Sequence, residues 1–432
     1  MLATGTYGKS DCNQRMKLSK LGILTIIGPG ILVAATGVGA GDLATGAFAG
    51  GRLGVAILWA VLVGALLKFV INEGLARWQL VTGETLVEGA ISRCGSVARW
   101  FFLAYLALWS FLVGAALMSA CGVAGHAIFP IQDASTDKII YGIGHSLAAL
   151  LLVRLGGYRL FEKVMACCIG LMFVVVVMTA VALQPPWADV LRGLFVPTIP
   201  NFQATDIQWT IALIGGVGGT LTVLCYGYWI REEGRQGIDW IVPCRIDLAV
   251  AYGMTALFGI AMVIIGNELG DIDNKKGASL VVMIADRLEQ VLGAAGPTAR
   301  VAFLIGSWGA FFSSLLGVWQ SVPYLFADVW SQIRETPTRD RPVVDQRAWP
   351  YQMYLFAIAT LPAIGLFIDF KQIQKLYAFV GALCIPLLAV VLLYLNGRTA
   401  LVGRFRNSWL TQILLAGALV FFVIVGTMSV WK

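Results

Sequence analysis

A succession of apolar runs, each about 17 to 30 residues long, constrains this chain more than any other feature. Only short polar connections separate them. A bilayer core about 30 Å thick is crossed by about 20 apolar residues of helix, because each residue rises about 1.5 Å. Eleven runs meet that requirement, at 22–48, 54–76, 98–125, 138–154, 160–183, 207–230, 245–266, 298–327, 349–368, 374–396 and 408–431. Hydrophobic residues fill 58% of the 432 positions and charged residues only 13%, more apolar surface than one soluble core can bury. The expectation is an all-α membrane protein of about 11 transmembrane helices. It forms a single domain over 1–432, with a cytoplasmic tail at 1–20.

The basic residues test that division, since cytoplasmic connections carry the excess of Lys and Arg. Alternate connections, counting from the amino terminus, hold 20 Lys and Arg, whereas the opposite set holds 10 and Lys68 lies inside the second run. The bias follows every crossing. It predicts a multi-pass protein of the cell membrane with a cytoplasmic amino terminus and an external carboxyl terminus. The net charge of +7 is therefore read as topology, and no basic run interleaved with aromatics points to nucleic acid. The eight cysteines are scattered without a CxxC pair, which excludes a disulfide framework or zinc site, and no cofactor is expected. A zinc-type helix motif, a nucleophile elbow and a histidine cluster are all missing, so the chain does not read as an enzyme.

The first run, GPGILVAATGVGAGDLATGAFAGG, places Gly37, Gly39, Gly41 and Gly46 around an acid, Asp42. Each glycine weakens a helix interior by about 1 kcal/mol relative to alanine, so this span is expected to unwind near its middle and release backbone carbonyls. A carboxylate at bilayer depth costs on the order of 2.5 to 3.5 kcal/mol and must face a partner, an ion or water. The sixth run repeats the pattern, with Gly215, Gly216, Gly218 and Gly219 before Thr220, Thr222 and Cys225. Gly-Val-Gly at 37–39 is echoed by Gly-Val-Gly at 216–218, five runs later. Paired broken helices in corresponding places of two five-helix halves mark a secondary transporter with its site near the membrane midplane. The halves are spans 1–5 and 6–10, with one helix left over.

The segment GPGILVAATG followed by LATG, together with LVTGETLVEGA at 80–90, resembles the Nramp family of divalent-metal transporters. The resemblance implies a leucine-transporter-like fold of two inverted five-helix repeats working by alternating access. Aligned on Gly28-Pro29-Gly30, the family's Asp-Pro-Gly-Asn motif falls on Gly39-Ala40-Gly41-Asp42. Its Met-Pro-His-Asn motif falls on Thr222-Val223-Leu224-Cys225. The family's first aspartate and its methionine are thus absent here. The third run has no acid and the ninth no arginine, so proton coupling of the usual kind is not expected.

The expected substrate site comprises Thr36, Gly39, Asp42, Thr220, Thr222, Cys225 and Tyr226, with Asp42 and Thr222 as metal ligands. Such an oxygen-rich set suits Mg²⁺, Mn²⁺ or Fe²⁺, carried by secondary active or facilitative transport. Two alternatives stand beside this reading. One is a transporter of an organic cation or amino acid on the same fold, and the other a non-transporting membrane sensor or scaffold. The partners expected are the cation or small cationic solute and the bilayer, with the chain a monomer or homodimer. Lys68 and Glu73 read as an anchoring pair near the cytoplasmic end of span two. His126 and His145 read as packing residues, Ser307, Ser313, Ser314 and Gln320 as interhelical contacts, and Glu268, Asp271 and Asp273 as a solvated external vestibule.

Overall fold

A computed structural model describes residues 27–270, 280–334 and 344–430, and the expected tail at 1–20, Asp271 and Asp273 lie outside them. Among the described residues the chain is helical without strands. In chain order the α-helices are α1 (Pro29–Gly37), α2 (Ala40–Leu53), α3 (Leu58–Thr82), α4 (Leu86–Ile128), α5 (Ala134–Ala182), α6 (Trp187–Phe195), α7 (Ala204–Gly216) and α8 (Tyr226–Glu232). They continue as α9 (Ile241–Leu269), α10 (Leu280–Val291), α11 (Gly296–Arg334), α12 (Trp349–Thr360), α13 (Phe370–Ala382), α14 (Cys384–Asn396), α15 (Thr399–Val402) and α16 (Trp409–Val430). Among the described residues, eight helical stretches are long and apolar enough to cross a membrane. They hold expected spans two to ten, because Ala134–Ala182 takes in spans four and five; Gly41–Thr82 adds only the end of span one to span two, the rest of span one being α1. The eleventh expected span coincides with α16.

Spans four and five follow one another without an intervening loop, yet they run in opposite directions. A straight helix of 49 residues would reach about 74 Å, far beyond one bilayer. Gly157 instead has a φ of 66°, a left-handed conformation that glycine adopts without a Cβ clash, and the chain turns there. The turn is visible in the contacts. His145, before the hinge, accepts a 2.7 Å hydrogen bond from Trp308 Nε1, while Cys168, after it, lies beside Gly309. Two residues 23 apart in sequence thus meet consecutive positions of α11, as only a hairpin allows.

The TGET segment at 82–85 punctuates the next connection. Gly83 ends α3 with a φ of 79°, and Thr85 opens α4 with a capping box: its hydroxyl accepts from Glu88 N at 3.1 Å while Glu88 accepts from Thr85 N. Three helices were not anticipated, the shortest being the single turn α15 before the last span. Short α6 buries Val190 and Gly193, the latter tight against the Val55 carbonyl, and α10 buries Val281, Ile284, Ala285 and Leu288 on one face. Both are amphipathic and too short to register as spans. The core runs through α2, α3, α4, α9 and α11, and the two broken spans meet inside it.

Two facing helix breaks and the candidate functional site

Both glycine-rich runs unwind where expected. The first span stops at Gly37 and restarts at Ala40, with Val38 at φ −79°, ψ 88° and Gly39 at φ −147°, ψ −148°. The sixth stops at Gly216, passes through Gly218 (φ 79°) and Gly219 (φ 83°), and resumes as a 3₁₀ turn over Leu221–Cys225 before α8. Positive φ at two successive positions favours glycine at both. The breaks also touch. A Cβ on Gly37 would stand 2.6 Å from the Gly218 carbonyl carbon, and one on Gly39 would stand 2.0 Å from Ser314 Oγ. The repeated Gly-Val-Gly therefore lets two backbones pack against each other as well as unwind.

Asp42 sits in the first turn of α2, 3% exposed, where the helix dipole favours a negative charge. Its Oδ2 accepts a 3.3 Å hydrogen bond from the Gly218 amide across the break, and its Oδ1 is buried with no hydrogen-bond partner. Facing it, Lys68 of α3 is 1% exposed and donates from Nζ to the carbonyls of Gly215 at 2.9 Å, Val217 at 3.1 Å and Gly219. Such carbonyls lose their helical partners when the span unwinds, and a cation at a helix carboxyl end suits the dipole. Lys68 therefore does not anchor with Glu73, which pairs instead with Arg77 at 3.1 Å and Arg245 at 2.7 Å. An ammonium at mid-span finds better acceptors in a broken helix than at a distant membrane surface.

Five of the expected residues border this junction directly: Asp42, Gly39, Thr36, Thr220 and Thr222, whose Oγ1 would stand 2.6 Å from a Cβ on Gly219. Thr36 Oγ1 is buried without a hydrogen-bond partner, and the Thr36 carbonyl accepts from Ser314 Oγ at 3.0 Å. Thr220 Oγ1 accepts a 2.9 Å hydrogen bond from Trp109 Nε1. Thr222 and Cys225 are buried in the 3₁₀ turn that follows. Tyr226 belongs to a different cluster, described next. Tyr377 of α13, whose ring edge packs on Gly41, and Trp109 of α4 approach each other at 6.4 Å between ring centroids. Trp109, Tyr377 and Lys68 were not anticipated as site residues. Of these only Lys68 carried a signal, a charge in the middle of an apolar span. Among the described residues no three of His, Cys, Asp and Glu gather to hold a metal, so a cation at this junction would meet one carboxylate and neutral oxygens.

Tyr226 lies at the other end of α1. Its hydroxyl donates to Asp247 Oδ2 at 3.0 Å, and Asp247 also accepts from Arg235 Nη1 at 3.3 Å. The same carboxylate caps α1, accepting from the Gly28 amide at 3.3 Å and the Gly30 amide at 2.9 Å. A Cβ on Gly30 would stand 2.4 Å from Asp247 Oδ1, which accounts for the second glycine of Gly28-Pro29-Gly30. Pro29 between them fits a first helical position, where no amide is needed.

The chain resembles known proteins in sequence and in fold. The chain is 31% identical over 230 residues to the divalent metal cation transporter MntH of Bacillus subtilis, a match covering 50% of this chain and 48% of that one. With MntH of Acidiphilium cryptum it is 24% identical over 419 residues, covering 93% of this chain and 89% of the relative. A mutant Eremococcus coleocola manganese transporter superposes with a TM-score of 0.74 at 16% identity, over 98% of this chain and 88% of that one. MhsT in complex with L-phenylalanine superposes with a TM-score of 0.66 at 15% identity, over 93% and 98%. The fold is thus that of leucine-transporter-like carriers. The family profile described as natural resistance-associated macrophage protein-like matches residues 30–432, and with the whole broken-helix core inside that match the chain belongs to the Nramp family.

Proposed function

We propose that this chain carries a divalent cation of the Mg²⁺, Mn²⁺ or Fe²⁺ class across the cell membrane by alternating access, binding it at the junction of the two helix breaks. The observation that carries the proposal is Asp42, a buried carboxylate with one oxygen hydrogen-bonded to Gly218 and the other unpartnered. A buried polar oxygen left without a partner costs about 1 to 3 kcal/mol, and a cation in the break would relieve that cost. The relatives named as divalent metal cation transporters support the class of cargo. Asp42 would supply the single charged ligand, and Thr36, Thr222 and unwound carbonyls the neutral oxygens, a donor set suited to hard ions. Transport requires no catalytic residue and no cofactor in this reading. The alternation of basic residues supports a cytoplasmic amino terminus and external carboxyl terminus.

A second cargo is favoured by one observation. Asp42 and Lys68 together leave the junction without net charge, as befits an amino acid or other small organic solute. Uptake into proteoliposomes separates the two. Asp42→Ala is expected to lower Mn²⁺ or Mg²⁺ uptake at least about tenfold, the loss of one ion contact worth about 1.4 kcal/mol or more. Undiminished uptake of Mg²⁺, Mn²⁺, Fe²⁺, Ca²⁺ and Zn²⁺ by that variant would remove Asp42 from the metal site. Amine or amino-acid uptake without metal uptake would select the second cargo.

A further inference from the structure

The carbonyls freed by the sixth-span break are already taken. An ammonium has three N–H donors, and those of Lys68 are matched by the three carbonyls of Gly215, Val217 and Gly219. The helix's own amides do not compete for them. Gly219 N donates to Gly216 at 3.2 Å and Val223 N to Thr220 at 3.3 Å. The ammonium is closed off from solvent and saturated by these oxygens. The charged group that acts on it is Asp42 from α2, and the uncharged Cys384 thiol of α14 lies near it. The flanking Thr36, Trp109, Thr220 and Ser314 carry no charge.

We propose that Lys68 is a built-in cation occupying the sixth-span carbonyl cage, so that a divalent substrate binds Asp42 and those carbonyls only when the ammonium has withdrawn. The inference rests on the metal-transport reading for its cargo and adds a residue that sets which cations enter and how tightly. A dication and an ammonium cannot share one set of oxygens, because like charges at contact distance repel strongly in a site without water. Lys68 thereby lowers metal affinity, and most of all for ions that need several oxygens stripped of their own hydration. It also holds the break in shape while no substrate is bound. A carbonyl cage without a cation would expose three unpaired acceptors inside the protein.

A staple with no bearing on the substrate would have the same hydrogen bonds, so the test reads affinity rather than fold. Lys68→Gln keeps an amide donor for the carbonyls and removes the charge. Isothermal titration of the purified full-length protein with Mn²⁺ and with Mg²⁺ is the measurement, each sample first checked to be monodisperse. The expected result is binding at least about tenfold tighter in Lys68→Gln than in the wild-type chain. Adding Asp42→Asn to Lys68→Gln is expected to remove the gain. Lys68→Met, a second neutral variant, serves should the glutamine fail to fold. Unchanged or weaker affinity in a folded neutral variant would overturn the proposal. Binding by the neutral variant alone would uphold the proposal while refuting metal transport by the wild-type chain. Binding by neither would overturn both.

Discussion

Two buried aspartates, Asp42 and Asp247, each stand beside the first broken span, and the chain treats them in opposite ways. Asp247 is 0% exposed and is satisfied on both oxygens by two glycine amides, a tyrosine hydroxyl and an arginine. Asp42 is 3% exposed, accepts one long hydrogen bond and leaves Oδ1 bare. The same carboxylate is closed in one place and open in the other. A carboxylate with a full set of permanent partners holds structure, whereas one with an unmade bond is available to a ligand. Asp247 therefore fastens the start of α1 to α8 and α9, and Asp42 waits at the break.

The largest effect on stability is expected from Asp247→Ala. It leaves the α1 amides and the Tyr226 hydroxyl without an acceptor and strips Arg235 of one of its two carboxylates, since Glu233 remains. Breaking a buried charge pair on one side costs about 3 to 5 kcal/mol. The measurement is thermal unfolding in detergent, with Asp42→Ala alongside. Asp42 gives up its bond to Gly218 and its attraction for Lys68, but that ammonium keeps its three carbonyl acceptors, so the second variant is expected to lose only about 1 to 2 kcal/mol. Equal destabilisation of the two would erase the distinction drawn between them.

Gly30→Ala probes the same latch more gently. The added methyl would have to displace the Asp247 carboxylate and backbone, since its nearest contacts there are 2.4 Å to Oδ1 and 2.6 Å to the carbonyl oxygen. Overpacking of this kind costs about 1 to 3 kcal/mol. The melting temperature is expected to fall by less than in Asp247→Ala. A variant as stable as the parent would show that α1 starts without needing that close approach.

Much of the first break was legible because it joined two costly features, glycines in a helix interior and an acid at membrane depth. Their repetition five spans later gave the second break. The family resemblance further implied that the site had lost an aspartate and a methionine, and the structure leaves Asp42 as the acid at the junction. What filled the gap was illegible. Lys68 reaches backbone carbonyls 147 to 151 positions away, and no side-chain pattern announces a backbone acceptor. Asp247 was hidden for the same reason, since its partners include the amides of Gly28 and Gly30. The hairpin at Gly157 was foreseen as two spans because the connection held Arg154, Arg159 and two glycines, although no loop separates the two helices there.

The smallest effect on stability, and the sharpest test of openness, belongs to Thr36. Its hydroxyl is buried and makes no hydrogen bond, yet the residue is pressed against Gly317, where a Cβ would stand 2.2 Å from Oγ1. Valine has nearly the same shape and lacks only the unsatisfied oxygen. Replacing a polar group that has no partner by an apolar one of equal volume is near neutral or stabilising. Thr36→Val is thus expected to melt within about 0.5 kcal/mol of the parent. Function separates the two roles left for that oxygen. As a cation ligand its removal raises the KM for Mn²⁺ uptake while kcat stays close to the parent, because a ground-state contact has gone. An unaltered KM assigns Thr36 to packing, and the open character of the junction then rests on Asp42 Oδ1 alone.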